Sequence, residues 1–154
     1  MLNQGDKAPS FSQLDQNAFK QESKQLKGKR YLVYFYPKDS TPGCTTQACG
    51  IQSDLEQFNA LGIPVFCVSA DSVYRHKKFA DKYNLQFPLL ADTEKQLIEA
   101  YGVWVEKSLY GKKYMGISRS SFLIDTKGKV EKVWEKVNTK THAQDVLKYI
   151  VEKS

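Results

Sequence analysis

The chemistry this sequence can carry is concentrated in Tyr36-Pro37-Lys38-Asp39-Ser40-Thr41-Pro42-Gly43-Cys44, with a second cysteine at Cys49 and a third at Cys67. A thiol acts as nucleophile and redox centre in its thiolate form, which is favoured in the first turn of a helix. There the unpaired N–H groups and the positive end of the helix dipole stabilise an anion. Such a setting lowers a thiol pKa from about 8.5 into the ~3.5–7.5 range. The run before Cys44 reads as the connection from a buried strand into a helix. It places Cys44 at the carboxyl end of that strand, where ligands bind in open α/β sheets. Thr41, three residues earlier, can turn its hydroxyl toward the sulfur or a bound oxygen. Gly43 lets backbone approach a ligand closely, and Pro37 and Pro42 stiffen the loop.

The remaining candidates leave more than one reading open. Cys49 lies one turn deeper on the same helix, where a core position and a redox partner for Cys44 both fit. Cys67, between Phe66 and Val68 in an apolar run, reads as a buried strand residue. Three cysteines in a chain of this size do not make a disulfide framework and suit a reducing compartment. A metal site built on Cys44-x-x-x-x-Cys49 needs two further ligands. His76 and His142 fall in Lys- and Gln-containing helical segments with no pairing motif, so no metal is expected, and the thiol chemistry calls for no cofactor. Arg119, just before a strand, reads on its own as a surface residue. Trp104 reads as a core or rim aromatic and is a candidate for lining the site.

The elements that position these residues follow from period and turn signals. Phe11 to Lys20 holds two short segments around Asp15-Gln16-Asn17, a small hairpin. Tyr31 to Tyr36 is apolar throughout and ends at Pro37, the pattern of a strand covered on both faces. Ala48, Ile51, Leu55 and Phe58 recur at helical spacing up to Gly62. Pro64 to Ser69 is a second buried strand, and Ser72 can cap a helix carrying Phe79 and Tyr83. Thr93 with Gln96, and Thr141 with Gln144, have capping-box spacing ahead of two further helices. Ser121–Asp125 and Lys129–Trp134 flank Thr126-Lys127-Gly128, a hairpin turn. Alternating strands and helices, then a hairpin and a closing helix, predict an α/β domain. Its mixed central sheet is flanked by helices, and a thioredoxin-like arrangement fits this order.

No repeat or linker divides the 154 residues, so a single domain over residues 1–154 is expected. The charge of +6, from 23 basic and 17 acidic residues, could signal a nucleic-acid partner. The lysines are spread along the whole length, however, which reads as a solvated surface. The longest apolar run is far short of the ~20 residues that span a bilayer. Met1 to Pro9 has no basic segment followed by an apolar core. Neither a nucleic acid nor a membrane is expected as partner, and a cytoplasmic location is.

Pro37-x-x-x-Thr41-x-x-Cys44 resembles the active-site motif of the peroxiredoxins. The longer run Tyr34-Phe35-Tyr36-Pro37-Lys38…Thr41-Pro42-Gly43-Cys44-Thr45…Ala48-Cys49 resembles their Q-type, or bacterioferritin-comigratory, branch. Gly5–Phe11, Pro88–Asp92, Tyr101–Trp104 and Arg119–Asp125 extend the likeness over nearly the whole chain. The resemblance implies a thioredoxin-like fold and a thiol-dependent peroxidase. It also implies a peroxidatic role for Cys44 and a resolving role for Cys49 within the same chain. Thr41, Pro37 and Gly43 would shape the pocket, and Arg119 matches the family arginine that holds thiolate and peroxide. Hydroperoxides are the implied substrates, and a thioredoxin or similar dithiol the implied reductant. Gln47 stands where many members carry Glu, which removes a charged partner for the arginine. The C-terminal helix that bears a resolving cysteine in the dimeric branch has no counterpart, so a monomer is favoured. Two other readings use the same cysteine. A thiol–disulfide oxidoreductase would normally show Cys-x-x-Cys, and a redox sensor or holdase would not need multiple turnovers.

Overall fold

The computed structural model describes residues 1–153. A short antiparallel hairpin, β1 (Ser12–Leu14) and β2 (Lys20–Glu22), forms around Asp15-Gln16-Asn17 as the turn residues predict. Asp15 closes it, one carboxylate oxygen accepting from the backbone N–H groups of Asn17 and Phe19. Gln16 then clamps the hairpin onto the body of the protein. Its amide donates to the Phe87 carbonyl at 2.9 Å and accepts from Leu89 N–H at 2.9 Å.

Strand β3 (Tyr31–Phe35) is buried at every residue. Alternate side chains of a strand point to opposite faces. Leu32 and Tyr34 therefore enter one core, with Cys67, Phe79, Leu123 and Val146. Tyr31, Val33 and Phe35 enter a second, with Phe66, Ile98, Tyr101 and Phe122. Two covered faces leave no polar alternation, and that is why the segment reads as one apolar run.

Two helices follow where one was expected. α1 (Pro42–Ser53) and α2 (Leu55–Ala60) are separated at Asp54, which leaves helical geometry at φ −104°, ψ 9°. Its N–H is shared between the Gly50 and Ile51 carbonyls, and its carboxylate accepts from Gln144 at 2.6 Å. The apolar stripe continues across this break because Ile51, Leu55 and Phe58 all reach the same core. β4 (Val65–Ser69) comes next. α3 (Val73–Tyr83) starts as expected, Ser72 Oγ accepting from Arg75 N–H at 3.2 Å.

After β5 (Leu89–Ala91), α4 (Gln96–Ala100) begins without the Thr93–Gln96 capping box. Lys95, at φ +60°, occupies the cap, and Asp92 receives the Ile98 N–H instead at 2.7 Å. A hairpin not foreseen from the sequence, β6 (Trp104–Leu109) with β7 (Lys112–Ile117), is largely exposed. β8 (Ser120–Ile124) and β9 (Val130–Trp134) form the predicted hairpin, its turn closed by Asp125 accepting from Lys127 and Lys129 N–H. In α5 (His142–Glu152) the second expected capping box also fails. Thr141 donates its hydroxyl to Asp145 at 2.8 Å, and Gln144 is engaged by Asp54.

The central sheet has the order β5-β4-β3-β8-β9. β3, β4 and β5 are parallel, and β8 and β9 are antiparallel to their neighbours. α1, α2, α3 and α5 supply the core on one face, and α4 with the base of the β6–β7 hairpin supplies it on the other. Among the described residues no helix is long and apolar enough to cross a membrane.

Candidate active site

β3 delivers Tyr36 and the loop 37–41 to the carboxyl edge of the sheet, and buried polar groups pin that loop from beneath. Tyr36 donates its phenol proton to Asp39 Oδ1 at 2.5 Å. Asp39 Oδ2 lies 2.6 Å from His76 Nδ1, and His76 Nε2 lies 3.0 Å from the Leu90 carbonyl oxygen. Asp39 N–H donates to Asp71 Oδ2 at 2.9 Å, and Asp71 also accepts from Ser69 Oγ and pairs with Arg75. Burial first, and the Asp39 charge second, push the Tyr36 phenol well up, so it stays a donor. Asp39, Asp71 and His76 offer ligand atoms within 4.8 Å of one another. Each is nevertheless engaged by protein partners, and together they brace the loop from β4, α3 and β5.

Above this base the chain turns into α1. Ser40 adopts φ +65°, and Thr41 returns to extended geometry as the residue before the helix. Pro42 takes the first helical position, where its missing N–H costs nothing. Thr41 donates its hydroxyl to the Lys38 carbonyl at 2.9 Å, which leaves the oxygen's lone pairs as acceptors. Pro37, half-buried, opens the loop.

Cys44 is the third residue of α1 and only 2% exposed. Its surroundings are cationic. A Cβ built on Gly43 would lie 3.3 Å from Arg119 Nη2, so the absent side chain is what lets the guanidinium rest against the first turn of α1. Arg119 sits immediately before β8, its carbonyl accepting from Val137 N–H at 3.2 Å. Its Nη1 donates to Gln47 Oε1 at 2.7 Å. The arginine thus keeps a hydrogen-bonded partner without a charged one, as the amide at 47 predicts. A second cation comes from the unforeseen hairpin. Lys107 lies across Gly116, and its pKa is lowered by burial and then by Arg119, with Cys44 acting in the opposite sense.

The two histidines, read from the sequence only as helical residues with no metal-pairing motif, are both enclosed. Gln47 Nε2 is 3.1 Å from His142 Nδ1, and His142 Nε2 is 2.5 Å from Ser121 Oγ. The imidazole also packs edge-on against Tyr34, ring centres 5.2 Å apart. Burial, and secondly the Arg119 charge, push His142 down to about 3, so the ring is neutral around pH 7. A signal for both burials existed. His76 precedes Phe79 by three residues and His142 precedes Val146 by four, so helical period puts each on its helix's apolar face.

Cys49 is half-buried further along α1, and all three thiols are free. Cys67 is fully enclosed. Burial pushes its thiol well up, the Tyr34 hydroxyl offsetting part of the shift. Trp104 packs on the opposite core from Cys44, with Lys95 5.0 Å from its ring centre, so it does not line the site.

The AhpC/TSA family matches residues 4–133, most of the chain. The chain belongs to this family. Peroxiredoxin Bcp of Escherichia coli strain K12 is 44% identical over 151 residues, which cover 98% of this chain and 97% of that protein. Peroxiredoxin Bcp of Bacillus subtilis is 44% identical over 150 residues, 97% of this chain and 96% of that one. Among solved structures, Peroxiredoxin Q of Xanthomonas campestris superimposes with a TM-score of 0.88 at 36% identity, over 93% of this chain and 90% of its own. A cysteine-to-serine mutant of PrxQ from Xylella fastidiosa reaches 0.93 at 31% identity, over 99% and 97%. The AhpC/TSA fold is therefore the thioredoxin-like one that the order of elements predicts. The chain sits among the Bcp and Q-type peroxiredoxins.

Proposed function

We propose that this peroxiredoxin reduces hydroperoxides with Cys44 as the attacking thiolate, Cys49 as the resolving thiol and no cofactor. The supporting observation is the enclosed sulfur in the first turn of α1 with the Arg119 guanidinium drawn against that turn. Free N–H groups at the helix start and the arginine both stabilise an anionic sulfur. The thiolate attacks the terminal oxygen of R–O–O–H. The S–O bond forms as the O–O bond breaks, the alkoxide leaves and takes a proton to give ROH, and Cys44 becomes a sulfenic acid. The charge that develops on the departing oxygen meets Arg119 and the N–H groups at the start of α1, donors already in place before reaction. Thr41, its proton committed to Lys38, presents lone pairs to the peroxide's O–H and so orients it. Cys49 then attacks the sulfenic sulfur, water leaves, and an intramolecular disulfide remains. An external dithiol of the thioredoxin type reduces it by exchange.

Because both cysteines lie on one helix, the cycle needs no second subunit, and the working unit is proposed to be a monomer. Alkyl peroxide reduction is ascribed to the bacterioferritin comigratory protein of Xanthomonas campestris. We extend that class, together with hydrogen peroxide, to this chain. Peroxide consumption by the full chain with thioredoxin, its reductase and nicotinamide cofactor tests the reading. Many turnovers per chain are expected with alkyl hydroperoxides. A single equivalent consumed, followed by a persistent oxidised form, would point to a redox sensor.

A further inference from the structure

Four side chains behind Cys44 form one hydrogen-bonded line: Arg119, Gln47, His142 and Ser121. The separations are 2.7, 3.1 and 2.5 Å. Three of the four are buried, Gln47 at 1%, His142 at 2% and Ser121 at 0% exposure, so water does not substitute for a missing partner. The direction of every bond follows from one end. A guanidinium donates and never accepts, so the Gln47 atom facing Arg119 is the amide oxygen. The amide nitrogen, which only donates, then faces His142 Nδ1. That nitrogen must carry a lone pair. A neutral imidazole has one proton, which leaves it on Nε2, donating to Ser121 Oγ.

We propose that His142 is a positioning residue for the peroxide step: by accepting at Nδ1 it holds the Gln47 amide with its oxygen toward Arg119, and so keeps the guanidinium against the first turn of α1. The inference rests on the reading in which Arg119 assists reaction at Cys44. A proton on Nδ1 would meet the amide NH2 donor to donor. The amide would then rotate and present its nitrogen to the guanidinium, again donor to donor. Arg119 would lose its fixed partner without any change at Cys44 itself. The enclosed ring and the nearby Arg119 charge hold His142 neutral, which suits this arrangement. A carboxylate at position 47 would need the opposite of the ring, a proton on Nδ1. The amide of Gln47 and the neutral imidazole of His142 are therefore matched to each other.

Two measurements on the full chain test this. Nitrogen-15 NMR of the imidazole at pH 7 should show His142 as the Nε2–H tautomer, with Nδ1 unprotonated. In Gln47→Glu a proton should appear on Nδ1. Stopped-flow oxidation of the reduced chain should be slowed about tenfold in His142→Phe, a fraction of the ~10²–10³ carried by a charge-stabilising donor. His142→Asn, whose side-chain oxygen can accept near the Nδ1 position, should recover part of the loss. The His142→Phe, Arg119→Lys double variant should be no slower than Arg119→Lys alone, since both act through one guanidinium. An Nδ1–H tautomer or an imidazolium in the unmodified chain overturns the proposal, whether or not any variant folds. If Arg119→Lys is slow while folded His142→Phe is not, the positioning role falls and the arginine's role stands. If neither is slow, the reading of Arg119 fails and takes this one with it.

Discussion

Oxidising the reduced chain with one equivalent of peroxide should unwind the first turns of α1. Cys44 and Cys49 both lie within that helix. Five residues advance about 7.5 Å along a regular helix and turn about 140° beyond one full rotation. With Cα atoms about 2.3 Å from the axis, the pair stands about 8.7 Å apart. A disulfide tolerates Cα separations only up to about 6.8 Å. The shortfall is about 2 Å, and the two side chains also leave the helix on different sides. No rotamer change closes it, so the backbone must open. Opening withdraws Cys44 and Ala48 from the core, where they are 2% and 1% exposed. At ~0.8 kcal/mol per buried CH2-sized group, the two together lose about 2 kcal/mol of burial. At about 1.4 kcal/mol per tenfold, that burial alone favours the closed helix by roughly 30-fold in the reduced chain. Amide exchange from Thr45 to Cys49 should therefore be slowed at least that much in the reduced form and be near unprotected in the disulfide form. Hydrogen exchange read by mass spectrometry, with the Cys44–Cys49 linkage assigned from peptide masses, is the assay. Equal protection of this segment in both forms, with that linkage confirmed, would refute the reasoning.

Other consequences are equally direct. Cys67→Ala should leave turnover intact and cost about 1 kcal/mol in urea unfolding, the scale of a small core truncation; lost recycling in a folded variant would move Cys67 into the resolving role. Arg119→Lys should slow sulfenic-acid formation by roughly 10²–10³-fold, because an ammonium lacks the planar fork that places Nη1 on Gln47 and Nη2 against Gly43 in the first turn of α1. His142, held down to about 3 in the folded chain, takes up its proton with an ordinary pKa near 6.5 once unfolded. Its contribution is therefore fully present above pH 6.5 and is lost as pH falls toward 3, by up to about 5 kcal/mol at about 1.36 kcal/mol per unit. Denaturant melts across that window should show the loss, and His142→Phe, if it folds, should flatten it.

What could be read from the residues alone was whatever is set locally. The apolar run into Pro37, the Pro-Gly loop and the helical period after Thr45 together put Cys44 in the first turn of a helix. The Thr126-Lys127-Gly128 turn fixed a hairpin in the same way. Where a short motif competes with a distant partner, local reading failed. Thr141 and Gln144 have capping-box spacing, but Gln144 is engaged by Asp54, 90 positions away, and Thr141 by Asp145. The β6–β7 hairpin gave little signal because most of its residues face solvent, leaving no apolar alternation to detect. The surroundings of Cys44 were the least legible part. Arg119 and Gln47 are 72 positions apart, and Gln47 and His142 are 95. Only the family likeness marked the arginine, and nothing marked the imidazole as its distant support.

The central claim is that Cys44 is the sulfur that meets the peroxide. Stopped-flow mixing of the reduced chain with a hydroperoxide, in the absence of any reductant, tests it most directly. The account predicts a rapid oxidation burst of one equivalent that Cys44→Ser abolishes, while Cys49→Ser keeps the burst and stops at the sulfenic acid. An undiminished burst in folded Cys44→Ser would contradict it.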